Sequence, residues 1–303
     1  MALLRAIDRY FRPFAVLAAL TGLGVAIYSE RGGIAAYPWT LSWWKFALAV
    51  MLFAAGPLIG SVVFRILLHH LTGETPAWMS ARVWHRAFLA RYVPSGALTM
   101  AVRLRARGEL GASKRQIWRA SVVEQLVSAI GGAAAATLAF TVSPDPTPLI
   151  APLLFGIGVG LAACIPGRRV TARASLTATL AWIPTGAAAW LIVSAMTSAA
   201  PDPAFVMGAY ALAWLLGFIV PFVPSGLGIR EAVLVSFLAP SLGVPAATLI
   251  AVTLRLANTV GDLLAVSFVE SAFAIEMRRR ARRPRRSEAS SPIEGGNPCS
   301  ASS

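Results

Sequence analysis

Acidic residues are scarce in this chain: 13 Asp and Glu stand against 27 Lys and Arg, and charged residues make up only 13% of its 303 positions. So thin a supply of charge excludes a water-soluble domain of this size, whose surface would need about twice that fraction. Cysteine is nearly absent. Cys164 falls in an apolar run and Cys299 in the polar end of the chain, which excludes a disulfide framework and leaves the redox compartment unread. Of the three histidines, His69, His70 and His85 read as interfacial residues, and no carboxylate stands near them at metal-ligand spacing, so neither a metal nor a cofactor is expected. No nucleophile and base lie together in a pattern that would mark an enzyme. Gly156, Gly158 and Gly160 sit inside an apolar run with no strand before them, which suits helix packing better than nucleotide binding. The net charge of +14 is compatible with nucleic acid, but the arginines lie in short loops between apolar runs instead of on one basic face, so that partner is excluded as well.

What the chain has is hydrophobic length. Apolar residues make up 57% of it and the mean hydropathy is +0.68. Runs long enough for a bilayer lie near 14–29, 44–68, 117–142, 147–166, 176–198, 204–223 and 246–272, given that a spanning helix needs roughly 20 residues. The stretch 229–242 covers only about 20 Å as a helix, so it reads as a tilted, locally thinned or re-entrant eighth crossing. The expected fold is an all-α integral membrane protein of about eight transmembrane helices, with a polytopic domain over 1–276 and a disordered basic tail over 277–303. The run at 14–29 follows Arg5, Arg9 and Arg12 without a small-residue cleavage site, and reads as an uncleaved first span. Basic residues test the count. With eight crossings and a cytoplasmic N-terminus, 21 of the 27 fall in segments 1–13, 69–116, 166–174 and the tail, against Arg31 alone outside. Both termini are therefore expected in the cytoplasm. Trp43, Trp44 and Trp118 open two of the spans, where amphipathic rings favour the interface.

Residues 82–115 carry eight basic groups interleaved with Trp84, Phe88 and Tyr92, which suits either a segment lying at or dipping into the inner interface or a solvated loop that fixes topology. The tetrapeptide Val93, Pro94, Ser95, Gly96 recurs as Val223, Pro224, Ser225, Gly226, and Glu124 follows the first proline at nearly the distance at which Arg255 follows the second. This reads as a duplicated unit with matching Pro/Gly interruptions, or as two ordinary loop turns. Ser121, Glu124, Gln125 and Ser128 share one helical face, and Arg255, Asn258, Thr259 and Asp262 repeat that spacing. A charge at membrane depth costs about 2.5–3.5 kcal/mol even on the lenient insertion scale, so both stripes must point inward. They line a polar path for a headgroup or protons, or Glu124 or Asp262 simply bridges to Arg255. The break at Pro224, Ser225, Gly226 and Gly228 precedes a helix start with Arg230 and Glu231 in its first turn, an arrangement suited to a lipid phosphate, with Glu231 steadying Arg230 or carrying a proton. The same residues also serve as ordinary capping features.

Arg91, Tyr92, Val93, Pro94, Ser95, Gly96 and the later stretch from Pro224, Ser225, Gly226, Leu227, Gly228 through Ile229, Arg230, Glu231, Ala232, Val233 and Leu234 resemble the lysylphosphatidylglycerol synthase transmembrane family, over roughly residues 10–275. The resemblance implies a flippase-like protein of the bacterial plasma membrane that moves an aminoacylated phospholipid or lipid-linked precursor between leaflets. Two departures stand out. The family motif usually reads Pro-Gly-Gly-Leu-Gly where this chain has Ser225, and only 27 residues follow Glu276, too few for the soluble transferase domain of aminoacyl-transferring relatives. The chain is therefore expected to move lipid without synthesising it, with anionic inner-leaflet phospholipids as partners. The alternative is a non-transporting scaffold for a separate lipid-modifying transferase.

Overall fold

The computed structural model describes residues 24–92, 98–143, 167–198, 201–219 and 224–282, together with Leu17, Thr21, Gly22 and Gly156. Among these residues every regular element is helical. In chain order they are α1 (Arg31–Ala36), α2 (Trp43–Thr72), α3 (Ala77–Leu89), α4 (Leu98–Arg105), α5 (Arg107–Leu110), α6 (Lys114–Val142), α7 (Arg168–Leu180), α8 (Trp182–Met196), α9 (Pro203–Ile219), α10 (Ile229–Leu242) and α11 (Val244–Arg282), with single 3-10 turns at Ala90–Tyr92 and Pro224–Gly226.

Four helical stretches are long and apolar enough to cross a membrane: Trp43–Thr72, Lys114–Val142, Arg169–Met196 and Val244–Arg279. They coincide with the expected runs at 44–68, 117–142, 176–198 and 246–272. Helix α9 is apolar but has 17 residues, and α10 has 14, or about 25 Å and 21 Å of rise. The run at 147–166 lies outside the described residues apart from Gly156, as do seven of the sixteen residues of 14–29 and the tail beyond Arg282.

Helix α2 is the hub, packed against α3, α6, α7, α8 and α11. Small residues set these approaches, since apolar side chains gain little from leaving lipid for protein and close backbone contact must supply the attraction. Gly261 lets α11 lie against α2, and a Cβ there would stand 2.6 Å from the Phe53 Cβ and 3.0 Å from the Ala54 amide nitrogen. Gly131 does the same for α6 against α7, where a Cβ would meet the Ala178 backbone at 2.9 Å. Outward-facing Trp43, Trp44, Leu138, Leu256 and Phe268 are exposed, as lipid-facing residues would be.

Among the described residues, the basic segments 69–116 and 167–174 lie at one end of the bundle. Helix α6 starts with a capping box between Ser113 and Gln116, and the Gln116 amide also donates to the Leu71 carbonyl at 2.6 Å, tying that start to the end of α2. Glu270, late in α11, accepts from Arg82 at 3.0 Å and Arg86 at 2.5 Å of α3. The opposite ends of α2 and α8 meet where the Ser42 amide donates to the Ala195 carbonyl.

Helix α3 corrects one expectation. It is not a solvated loop, because Val83, Trp84, His85 and Ala87 are buried against α2 and α11. His85 is fully buried, not interfacial, and its Nδ1 bonds to the Ala81 carbonyl.

The small-residue approach has a measurable consequence. Gly261→Val should destabilise the protein by about 1–3 kcal/mol, the range for overpacking, while Leu256→Val on the exposed face of the same helix should change little. Thermal unfolding in detergent measures both.

Candidate functional site

The charged side chains buried in the helical region do not scatter. They line three adjoining cavities walled by α3, α4, α6, α9, α10 and α11, with α2, α7 and α8 completing the second. The largest, about 400 Å3, lies between Arg91, Arg103, Glu124, Ser128, Ser225 and Arg230, with Trp84, Phe88, Trp214 and Phe218 as walls. A second of about 120 Å3 shares Arg91, Ser128 and Trp214 and reaches Asn258 and Asp262. A third of about 20 Å3 lies between Arg230, Glu231, Arg255 and Asn258.

Each carboxylate has a cation. Arg103, on α4, donates to Glu124 at 2.5 Å and to Ser121 at 2.9 Å, and the Trp84 indole donates to the same carboxylate at 2.5 Å. Arg91 and the Tyr92 hydroxyl, from the 3-10 turn after α3, both donate to Asp262 Oδ2 on α11. Arg255 on α11 donates to Glu231 at 2.7 Å, and the other Glu231 oxygen accepts the Gly228 amide at 2.6 Å. These groups are 1–5% exposed on their acidic side, so the pairing is what permits the charge at that depth.

Arg230 differs. It has no hydrogen bond or ion pair among the described residues, its Nε is buried without an acceptor, and its guanidinium faces the Trp214 ring at 5.6 Å from the centroid. The backbone around it is built for that placement. Ser225 at φ 53° and Gly226 at φ 65° turn the chain left-handed before α10. A Cβ on Gly217 would stand 2.6 Å from the Arg230 Cγ, and one on Gly226 would stand 2.8 Å from the Gly217 Cα. Two glycines and the arginine stem thus form one close-packed unit that aims the cation into the large cavity. The Ser225 side chain lines both this cavity and the smallest one.

The cavities bring most of the expected residues together. Ser121, Glu124, Gln125 and Ser128 line the large cavity, and Ser128 meets Asn258 and Asp262 of the other stripe in the second. Arg255, Asn258 and Thr259 line the third with Glu231 and Arg230. Two expectations are corrected. Neither Glu124 nor Asp262 pairs with Arg255, because cations on α4 and the preceding 3-10 turn reach them first. Glu231 does not hold Arg230, because it points the other way, to Arg255 and its own helix cap. Arg91 and Tyr92 enter the site as ligands of Asp262, whereas Pro94 and Gly96 lie outside the described residues, as does the side chain of Pro224. The sequence reading missed Arg103 and Trp84. A signal existed in the spacing of Val83, Trp84, Ala87 and Ala90, an apolar face at helical period within a basic segment.

Compared with models of known protein families and with curated protein sequences, the chain matches none. The site therefore rests on its own geometry: four arginines against three carboxylates around connected cavities, one positive charge in excess among the described residues.

Breaking one buried pair leaves an uncompensated charge, so Glu124→Ala should cost about 3–5 kcal/mol. Replacing both partners, Glu124→Leu with Arg103→Met, should cost less than the single change. Denaturant or thermal unfolding in detergent compares the two. At the turn, Gly226→Ala should destabilise strongly through both φ and contact, while Ser225→Gly should be neutral or stabilising by up to about 1 kcal/mol.

Proposed function

We propose that the protein translocates a polar phospholipid or lipid-linked precursor between the leaflets of a bacterial plasma membrane, crossing it about eight times with both termini in the cytoplasm. The observation that carries the reading is Arg230. It is a cation without a counterion, set in the first turn of α10 and facing a cavity of about 400 Å3 among apolar helices. An isolated guanidinium in a low-dielectric site is costly, and a phosphate oxygen is the partner its planar donors suit. The place of Arg230 in the first turn of α10 puts it at the positive end of that helix's dipole.

The remaining residues divide the work. Arg103 with Glu124 and Arg91 with Asp262 hold the cavity walls as paired charges, so that polar groups persist at membrane depth without drawing the ligand too tightly. Ser128, Gln125 and Asn258 offer uncharged hydrogen bonds along the route between the first two cavities. Acyl chains stay with the lipid, because the outer faces of α6 and α11 are apolar and exposed there, at Leu126, Leu138, Leu256 and Leu264. The gathering of the basic segments at one end of the bundle supports a cytoplasmic placement of that end under the positive-inside rule.

In vesicles carrying the reconstituted protein and a fluorescent phospholipid, an impermeant quencher measures how fast the probe changes leaflet. Arg230→Gln should slow that exchange by about tenfold or more, the cost of losing one charge-assisted contact to phosphate. Arg65→Gln, at an exposed position that lines none of the three cavities, should leave it unchanged. Equal exchange by the wild type and the Arg230 variant would remove the cation from the mechanism.

A further inference from the structure

We infer that the lipid handled carries a single net negative charge on a phosphodiester, with an otherwise uncharged, hydroxylated headgroup. This rests on the translocation reading above and goes beyond it to the class of headgroup, departing from the aminoacylated cargo that the family resemblance implies.

The argument starts from charge balance. Arg91, Arg103 and Arg255 are each neutralised by a carboxylate, and Arg230 leaves the cluster one positive charge in excess. In a low-dielectric core residual charge is expensive, so the ligand that best fits is the one that brings the cluster to zero. A phosphodiester does so. A phosphate monoester or diphosphate overshoots, and a headgroup esterified with lysine returns two ammonium charges to a site already positive.

Each carboxylate's charge is already matched by an arginine, so an ammonium would find no unpaired negative charge among the described residues. Glu124 is taken by Arg103 and Trp84, and Glu231 by Arg255 and the Gly228 amide. Asp262 Oδ2 is taken by Arg91 and Tyr92. Aromatic faces, the other partners of an ammonium, are occupied too. The Arg91 guanidinium lies 3.6 Å over Phe88, whose ring stacks on Trp84, and Arg230 faces Trp214, which stacks on Phe218.

One acceptor is left open. Asp262 Oδ1 is buried without a donor, and Asp262 lines the 120 Å3 cavity that adjoins the larger one through Arg91 and Ser128. A headgroup hydroxyl beyond the phosphate would donate to it, satisfying the last unpaired carboxylate oxygen without adding charge. Phosphate at Arg230 and hydroxyl at Asp262 together describe a phosphodiester with a short polyol.

The test uses the full chain in vesicles of phosphatidylcholine, with trace fluorescent probes differing only in headgroup: phosphatidylglycerol, its lysyl ester, and phosphatidic acid. The phosphatidylglycerol probe should change leaflet at least about tenfold faster than either of the others, a preference of about 1.4 kcal/mol. Asp262→Asn should reduce that preference for phosphatidylglycerol and, by leaving Arg91 unpaired, lower the melting temperature in detergent. Should the variant fail to fold, the wild-type comparison among headgroups decides alone. Exchange of the lysyl ester as fast as phosphatidylglycerol overturns the headgroup assignment and leaves translocation standing. No exchange of any probe overturns translocation itself. Inhibition by soluble glycerophosphoglycerol as strong as by the intact lipid overturns a membrane source for the phosphodiester.

Discussion

A guanidinium cannot shed its charge at any ordinary pH, and every other feature of this protein's interior follows from having placed four of them among apolar helices. Three are compensated by carboxylates brought from a different helix each time. Those cross-links tie the turn after α3 to α11, α4 to α6 and α10 to α11, and they explain why short, weakly apolar elements such as α3 and α4 belong to the packed body at all. The fourth arginine is the exception that gives the cavity its chemistry.

The ion pairs also bear on the candidate internal repeat. After the first Pro/Gly break, the next helix supplies Arg103 and the following long helix supplies Glu124, 30 residues past Pro94; after the second, the next helix supplies Glu231 and the long helix Arg255, 31 past Pro224. The arrangement is the same and the signs are exchanged. The 3-10 turns that precede or form the two breaks, Ala90–Tyr92 and Pro224–Gly226, touch each other. The turn before the first break and the turn that forms the second thus meet at one polar centre.

The long spans were legible because hydrophobic length is a property of contiguous residues: α2, α6, α8 and α11 fall where the runs fall. Inward-facing stripes were legible for a similar reason, since helical spacing and the cost of charge in lipid suffice to place Glu124 and Asp262. Partner choice was not. Glu124 and Asp262 look equivalent with respect to Arg255 in the sequence, and only the return of α3 and α4 into the bundle decides that Arg103 and Arg91 take them. Basic density between residues 82 and 115 disguised that return, because arginines that pair with buried acids look the same in a sequence as arginines that anchor a loop. Ser225 stands where the motif of the resembled family has glycine. Its left-handed φ shows that the turn keeps the conformation glycine prefers, and the strain, of order 1 kcal/mol, is retained at a residue whose side chain lines the two cavities that meet at Arg230.

The cluster's single uncompensated charge also bears on turnover. If all four arginines were free, an anionic headgroup would be held too firmly to leave, because each desolvated charge-assisted contact contributes about 1.5–3 kcal/mol. If all four were paired, nothing would favour its entry over remaining in the leaflet. Under the proposed translocation, one cation in a cavity shared with uncharged hydrogen-bonding groups would give an attraction of roughly the size of a single contact, enough to recruit a phosphate and small enough to release it. On that proposal the three ion pairs are as much a part of the binding strength as Arg230, since they set how much positive charge a lipid would meet.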